Sequence, residues 1–282
     1  MSVEKLDSIR YAQVRPVFEA LRYNIVVDSV IDGNTPGWVF ADDAQRPTTA
    51  FIWDMQDAML VAGDPADADL NRALAALIRN DIAPDARRRG IPFLSLHYDR
   101  PAWETAIEET ILAGWRPAKA ARRYYTLEHL TWNWRIGMPP DTAMRPITAA
   151  LLDGDDLANA DQVRGWVLSF WPSLAAFEAT GVGYCIVYGE ATIASWCLSV
   201  FVSGRDYELG LATAPDYRGR NLAVRTAAAC VETCLARGLA VHWHCLEENY
   251  PSQRVAEKVG FDETRAYEVY RFSIQDEDSS SL

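Results

Sequence analysis

The segment Tyr-Arg-Gly-Arg-Asn-Leu-Ala at positions 217–223 lies between a β-like run and a long helical pattern. A turn at this place points several backbone N–H groups at one spot, and the N-terminus of the next helix adds partial positive charge. Gly219 lets the backbone approach a ligand closely, and Asn221 tolerates a left-handed conformation. Arg218 and Arg220 add cationic side chains. The segment predicts a phosphate or pyrophosphate site; a plain strand-to-helix turn with solvated arginines is the alternative.

This loop belongs to an ordered series of predicted elements in the second half of the chain. Runs rich in β-branched and aromatic residues indicate strands, and a 3.6-residue apolar period indicates helices. In order, the predicted elements are a helix from about Asp161 to Ala179, strands Tyr184–Tyr188, Thr192–Val202 and Tyr207–Thr213, a helix from Leu222 to a stop at Gly238, strand Leu239–Leu246, helix Ser252–Val259 and strand Ala266–Ile274.

The first half of the chain repeats this order weakly. Its predicted elements are strands Trp38–Ala41, Ala50–Trp53 and Met59–Ala62, helix Leu70–Ile82, strand Ile91–Tyr98, helix Trp103–Ala113 and strand Tyr124–Leu127. Trp38 and Trp115 are 77 positions apart, and so are Tyr184 and Phe261. This spacing predicts a tandem repeat of one supersecondary unit.

A stretch with glycine and two adjacent prolines, GMPPDTAMRP at 137–146, separates the two halves. Proline and glycine interrupt regular structure, so the boundary between domains is predicted here. The predicted domains are residues 1–137 and residues 138–274. The acidic, serine-rich residues 275–282 are predicted to form a flexible tail.

Two segments, ELGLATAPDYRGRNLA and ENYPSQRVAEKVGF, resemble the GNAT superfamily of acyl-CoA N-acyltransferases. Arg218, Asn221 and Ala223 occupy the positions of its signature, Arg/Gln-x-x-Gly-x-Gly/Ala. The stretch from Gly183 to Phe261 is more closely similar to the subgroup that includes zwittermicin A resistance acetyltransferases, and the first half is similar only faintly. The resemblance implies an α/β (α+β) fold of tandem GNAT-like domains, each a mixed, mostly antiparallel sheet flanked by helices.

The resemblance also implies acetyl-CoA, or another acyl-CoA, in a cleft between two splaying strands. The strand leading into the loop would hold the pantetheine arm through its backbone, the loop would hold the pyrophosphate, and the start of the last helix would lie near the thiol. The implied cofactor-binding residues are Leu211, Ala212, Thr213, Arg218, Gly219, Arg220, Asn221, Leu222, Ala223, Asn249 and Ser252. In the first half, the corresponding loop at 62–69 holds three aspartates that would repel a pyrophosphate, so a degenerate domain with no CoA site is predicted there.

Direct transfer to an amine needs a base, because an amine with pKa about 10.4 is mostly protonated at pH 7. Glu208, on the strand before the loop, is the predicted base, and a carboxylate that faces solvent or pairs with arginine is the alternative. Many superfamily members carry a tyrosine acid where this chain has Ala256. Tyr250 is therefore the predicted general acid. Other candidates for this role are His244, Cys245 and Tyr267.

Histidine and cysteine positions give no further site. His242 and His244 share one strand face, but the sequence shows no third metal ligand at a suitable spacing, so no metal is predicted. Cys230 and Cys234 lie one helical turn apart on an apolar face, which predicts core positions. Cys197 or Cys245 could carry an acyl group only with an activating base that the sequence does not indicate.

Composition limits the partners. The 282 residues include 27 Lys and Arg against 39 Asp and Glu, a net charge of −12. This charge argues against nucleic acid or an anionic membrane surface, and makes the arginines at 218, 220 and 225 more informative. No apolar run is long enough to span a membrane. Five cysteines, an odd number without short paired spacings, indicate a reducing compartment and hence a cytoplasmic protein.

Together these features predict an acetyl-CoA-dependent N-acetyltransferase. The predicted acceptor is a primary amine of a small molecule, such as an antibiotic or another metabolite, and the protein is predicted to be a monomer or a homodimer. The alternative is a non-catalytic acyl-CoA-binding sensor or scaffold, which the alanine at position 256 favours.

Overall fold

The computed structural model describes residues 3–154 and 156–275. The chain forms two compact units, Met1–Ala120 with Glu268–Leu282, and Ala121–Tyr267. The predicted tail lies outside the described residues from position 276 onward.

Regular elements alternate along the described residues. The strands are β1 (Glu4–Lys5), β2 (Trp38–Ala41), β3 (Ala50–Trp53), β4 (Ala58–Ala62), β5 (Phe93–Tyr98), β6 (Ala118–Thr126), β7 (Thr142–Pro146), β8 (Gly183–Tyr188), β9 (Thr192–Ser203), β10 (Asp206–Thr213), β11 (Ala240–Leu246) and β12 (Asp262–Ser273). The α-helices are α1 (Val26–Ile31), α2 (Ala68–Leu77), α3 (Ala83–Arg88), α4 (Glu104–Ala106), α5 (Ala149–Gly154), α6 (Ala160–Phe170), α7 (Leu174–Thr180), α8 (Leu222–Ala236) and α9 (Tyr250–Val259). Further 3₁₀ or π segments cover Ser8–Leu21, Ile78–Ile82, Pro101–Trp103, Ile107–Ile111 and Pro215–Tyr217.

Both units have the same strand pattern. In the first, β1 to β4 pair in antiparallel order, and β4 then pairs with β5 in parallel. In the second, β7 to β10 pair in antiparallel order, and β10 then pairs with β11 in parallel. Helical segments that include α2 and α8 make the two parallel crossovers. The repeat predicted from the sequence is therefore present as a repeated topology, and the predicted fold class is confirmed.

The division between the units does not fall at the predicted boundary after Gly137. Residues 122–126 of β6 pair with β11 in the second unit, whereas residues 270–273 of β12 pair with β5 in the first. The last strand of the first repeat, β6, thus joins the strands of the second unit. The last strand of the second repeat, β12, joins the strands of the first unit. A period-2 pattern predicts a strand but not its partner, which is why the sequence assigned β6 to the first domain.

The prediction of a single helix from Asp161 to Ala179 is wrong, because the structure has two helices there, α6 and α7. α6 ends at Phe170, because the residue before a proline is driven out of the helical region, and Trp171 is extended before Pro172. α7 then starts anew, with the Ser173 hydroxyl accepting a hydrogen bond from the Ala176 N–H. Serine is a favoured residue at such a helix start.

Candidate active site

β10 and β11 separate at Glu208. They pair in parallel over only three positions, from Asp206 opposite Ala240 to Glu208 opposite His242. Beyond this point β10 continues to Thr213 with β9 as its partner, and a bulge falls between Glu208 and Leu209. A bulge next to a strand divergence turns side chains and opens one edge of the strand.

The backbone of Leu211 and Thr213 faces this open edge. The Ala214 N–H donates to the Ala194 carbonyl of β9 at 2.9 Å, and the Ala212 carbonyl accepts from Ser195 Oγ at 3.1 Å. Backbone groups alternate in direction along a strand, so the N–H and C=O groups of Leu211 and Thr213 point away from β9. An extended ligand can therefore pair with β10 here as a further strand would, with the Thr213 carbonyl shared with Arg218 Nε at 3.3 Å.

The loop after β10 has an open, left-handed backbone. Gly219 has φ +77°, and a Cβ placed there would meet no atom within 4 Å. Asn221 has φ +56°, the conformation that its residue type favours, and α8 starts at the next residue, the buried Leu222. The Asn221 side chain does not cap α8; its Oδ1 instead accepts a hydrogen bond from Lys258 Nζ at 2.9 Å. Lys258, which the sequence analysis did not select, thus brings a further cation to the loop.

Two of the three predicted arginines belong to this loop. Arg218 and Arg220 are exposed. Arg218 Nε donates to the Thr213 carbonyl at 3.3 Å, and the Arg220 guanidinium lies 5.4 Å from the ring centroid of Tyr217. Both contacts leave guanidinium N–H groups directed to solvent or to an anion, because arginine has five donors.

Arg225 has a different role from the one expected of it. Its side chain is buried, and its guanidinium donates to the backbone carbonyls of Trp134, Ile136 and Gly137 at 2.7, 2.8 and 2.7 Å. Arg225 therefore fixes the 134–137 segment to α8 instead of adding charge to the loop. Burial lowers the pKa of this guanidinium.

We expect Arg225→Met to lower the free energy of unfolding by about 2–3 kcal/mol, because hydrogen bonds to a charged group contribute roughly 1.5–3 kcal/mol each and are not additive. Arg237→Met is the matched control: Arg237 is exposed just after the end of the same helix, and its side-chain hydrogen bond to the Gly181 carbonyl is 3.4 Å long. The control should change stability by less than about 0.5 kcal/mol. Urea denaturation measures the free energy of unfolding of both variants. Equal decreases in this free energy would contradict the anchoring role of Arg225.

The corresponding loop of the first unit is closed by its own carboxylates. Asp67 Oδ1 accepts from the N–H groups of Asp69 and Leu70 at the start of α2, at 3.0 Å each. Asp64 Oδ1 accepts from the Ala66 N–H at 2.9 Å. These carboxylates accept hydrogen bonds from N–H groups at and before the start of α2, and they add negative charge.

Glu208 is buried beside a histidine. It is 7% exposed, and its Oε2 lies 3.0 Å from Nδ1 of His244, whose side chain is 2% exposed. Burial alone would raise the pKa of the Glu208 carboxyl, but the nearby His244, Arg122 and His242 outweigh burial and hold that pKa below its ordinary value. Glu208 is therefore a carboxylate at neutral pH.

An aromatic residue covers this pair. Tyr124 of β6 lies directly opposite His244 of β11, and the two rings stack at 4.5 Å between centroids with 14° between planes. The Tyr124 hydroxyl bonds to His242 Nδ1 at 2.7 Å, and His242 Nε2 lies 2.8 Å from Asp206 Oδ1. Burial, with the charges of Glu208 and Asp206, raises the pKa of Tyr124 to about 12. Tyr124 is not among the site residues predicted from the sequence, because the pattern of β6 does not indicate its partner strand.

The candidate acids lie in different places. Tyr250 is the first residue of α9 and is 66% exposed. The Tyr267 hydroxyl accepts from Arg122 Nε at 3.0 Å, and its ring meets that of His244 edge-on at 6.0 Å between centroids. Cys245 is buried, and burial raises the pKa of its thiol. The structure therefore brings His244 and Tyr267 close to Glu208 and leaves Tyr250 exposed at the start of α9.

The start of α9 is held by its own side chains. Asn249 Oδ1 accepts from the Ser252 N–H at 3.2 Å, and the Ser252 hydroxyl accepts from Trp243 Nε1 at 3.0 Å. Ala256 is fully buried in the same helix, so this position faces the core and not an open site. The cofactor contacts of Asn249 and Ser252 stay predictions.

The cysteines are structural. All five are free and buried. Cys230 and Cys234 are fully buried on α8, as predicted, and burial raises the pKa of both thiols. Because a thiol must ionise to act as a nucleophile, the burial that raises the pKa of the Cys245 thiol disfavours an acyl group at that position. In residues 3–154 and 156–275, His, Cys, Asp and Glu form no group of three or more that could hold a metal ion.

The family model for GNAT acetyltransferases matches residues 15–270. The chain is 22% identical over 271 residues to an uncharacterized N-acetyltransferase, YdfB, of Bacillus subtilis (strain 168), covering 96% of this chain and 99% of the relative. The chain belongs to the GNAT acetyltransferase family, and is accordingly an N-acetyltransferase that uses acetyl-CoA as its donor.

Solved structures share the fold. A GCN5-related N-acetyltransferase-like protein from Streptococcus suis 89/1591 has a TM-score of 0.69 at 22% identity, with 94% of this chain and 99% of that chain covered. A tandem GNAT protein from the clavulanic acid biosynthesis pathway has a TM-score of 0.55 at 13% identity, with 98% of this chain and 99% of that chain covered.

Among the residues that the structure describes, none of the helices has the length and apolar character to cross a bilayer.

Proposed function

We propose that the second unit binds acetyl-CoA along β10 and the 218–223 loop, and transfers its acetyl group directly to a primary amine of a small molecule. The observation that carries this proposal is the contrast between two corresponding helix starts. Asp67 caps α2 with a carboxylate, whereas Asn221 leaves α8 without a side-chain cap and binds Lys258. Of these two helix starts, the start of α8 therefore suits an anion better than the start of α2.

The residues present fit acetyl-CoA. The outward backbone groups of Leu211 and Thr213 suit the amide-containing pantetheine arm, and the N–H groups of the loop at Gly219 suit a pyrophosphate. When bound, acetyl-CoA supplies an acyl group activated as a thioester. Arg218 and Arg220 would add charge-assisted hydrogen bonds, which are roughly twice as strong as neutral ones.

Glu208 is the proposed base of the reaction. It is ionised at neutral pH, and it lies where β10 and β11 separate, at the edge that would receive the pantetheine arm. The carboxylate would take a proton from the acceptor amine, so that the nitrogen lone pair becomes available for attack. Tyr250 stays the predicted proton donor to the leaving thiolate, with His244 and Tyr267 as alternatives.

A small acceptor is supported by the site and by the charge of the protein. A base that is 7% exposed is reached by a slender group such as a primary amine. The net charge of −12 attracts a cationic amine by electrostatic steering. The sequence resemblance to zwittermicin A resistance acetyltransferases makes amine-bearing antibiotics one class of acceptor to include.

The test is release of the CoA thiol from acetyl-CoA in the presence of a panel of amines. The panel contains polyamines, aminoglycosides, amino sugars, arylalkylamines and lysine-containing peptides, and mass spectrometry identifies each product. We expect one thiol released for each acetyl group found on a small amine. Acetylation of the peptides alone would contradict the small-molecule acceptor. Acetyl-CoA binding without thiol release in the presence of any amine of the panel would also contradict the proposed acceptor.

A further inference from the structure

His244 is a buried histidine that the reaction proposed above includes only as an alternative proton donor to the thiolate. Its Nδ1 lies 3.0 Å from the Glu208 carboxylate, a distance that allows a proton to pass between the two groups. An imidazole nitrogen is in general a stronger base than a carboxylate. The chain thus places a better proton acceptor directly behind the proposed base.

We propose that Glu208 and His244 act as one base, in which the imidazole takes over the proton that the carboxylate removes from the acceptor amine. This inference rests on the proposed function. The proton leaves the ammonium nitrogen, whose lone pair becomes available, and moves to the Glu208 carboxylate. It then passes to Nδ1 of His244, which leaves an imidazolium beside a regenerated carboxylate. No oxidant or other reactant is needed.

The surrounding residues fit this role. Tyr124 stacks on His244, and its hydroxyl bond to His242, which in turn contacts Asp206, holds the stacked ring in place. These contacts fix the plane of the His244 imidazole, whose Nδ1 lies 3.0 Å from Glu208 Oε2. Tyr124 is thus a positioning residue.

Other charges also face the pair. Arg122 and Arg265 of the neighbouring strands act on Glu208 and Tyr124, and Tyr267 meets the His244 ring edge-on. Arg122 opposes the gain of positive charge on His244 and favours the Glu208 carboxylate, whereas Arg265 acts on Tyr124. The carboxylate and the imidazolium that form together partly neutralise each other, which makes the transferred proton tolerable in a buried place.

The pair is tested with His244→Gln, Glu208→Gln and the double variant, each assayed with acetyl-CoA and the best amine of the panel from pH 6 to 10. We expect His244→Gln to lower kcat at pH 7 by about 10- to 100-fold, within the range of one proton-transfer group. Its activity should recover as pH rises. The kcat of the double variant should lie within about threefold of the kcat of Glu208→Gln, because residues that act as a unit give non-additive losses.

His129→Gln is the control, because it makes the same change at an exposed histidine of the same unit and should leave kcat unchanged. Urea denaturation establishes that each variant is folded, and His244→Asn replaces His244→Gln where the latter is not. A folded His244 variant with kcat within about threefold of wild type at every pH would overturn the pair while the proposed function stands. Additive losses in the double variant would also overturn it. If wild type acetylates no amine, the proposed function fails, and this inference fails with it.

Discussion

Glu208→Gln is expected to lower kcat at pH 7 by about 10²–10⁴-fold, the usual contribution of a positioned base. Glutamine keeps the shape of the side chain and removes its ability to take a proton. The loss should shrink as pH rises toward the pKa of the acceptor amine, because more of the amine is then already neutral. Acetyl-CoA affinity, measured by calorimetry, should stay within about threefold, since Glu208 is not part of the loop proposed to bind the phosphates.

Glu257→Gln is the matched control for this change. Glu257 is an exposed glutamate on α9 in the same unit, so the substitution removes one charge without touching the buried pair. Its kcat should equal that of wild type at each pH. If Glu208→Gln keeps kcat at pH 7 within about threefold of wild type, Glu208 is not the base.

Local sequence patterns predicted the elements around the site well. The three strands β8, β9 and β10, the start of α8 at Leu222 and the left-handed tolerance of Asn221 all follow from residue types over a few positions. These features depend on backbone preferences and on the alternation of buried side chains. Such preferences act locally, so that a sequence can report them without knowledge of distant contacts.

The errors concern partners that are distant in sequence. Nothing near Tyr124 indicates that it lies opposite His244, because pairing of β6 with β11 joins residues about 120 positions apart. Arg225 looked like a loop cation because its neighbours are arginines, but three carbonyls at 134–137 surround it. Pairing and burial of charged groups are set by tertiary packing, which composition and spacing do not encode directly.

Gly219→Asp is expected to weaken acetyl-CoA binding by at least about 100-fold, which corresponds to roughly 2.8 kcal/mol at 1.4 kcal/mol per tenfold. The new carboxylate would stand where the proposed pyrophosphate binds and would compete for the same N–H groups, as Asp67 does at α2. The fold should survive. A Cβ at Gly219 meets no atom within 4 Å, and aspartate is among the residues that best tolerate its φ of +77°.

Gly219→Asn separates charge from shape in this prediction. Asparagine has nearly the same size as aspartate and tolerates the same backbone conformation, so any loss common to both variants comes from sterics or strain. We expect Gly219→Asn to bind acetyl-CoA within about tenfold of wild type by calorimetry. The difference between the two variants should also shrink as salt is raised, because salt screens exposed charges. Equal affinities in folded Gly219→Asp and Gly219→Asn would place the phosphates elsewhere, and would remove the contrast between the two helix starts as an argument for acetyl-CoA in the second unit.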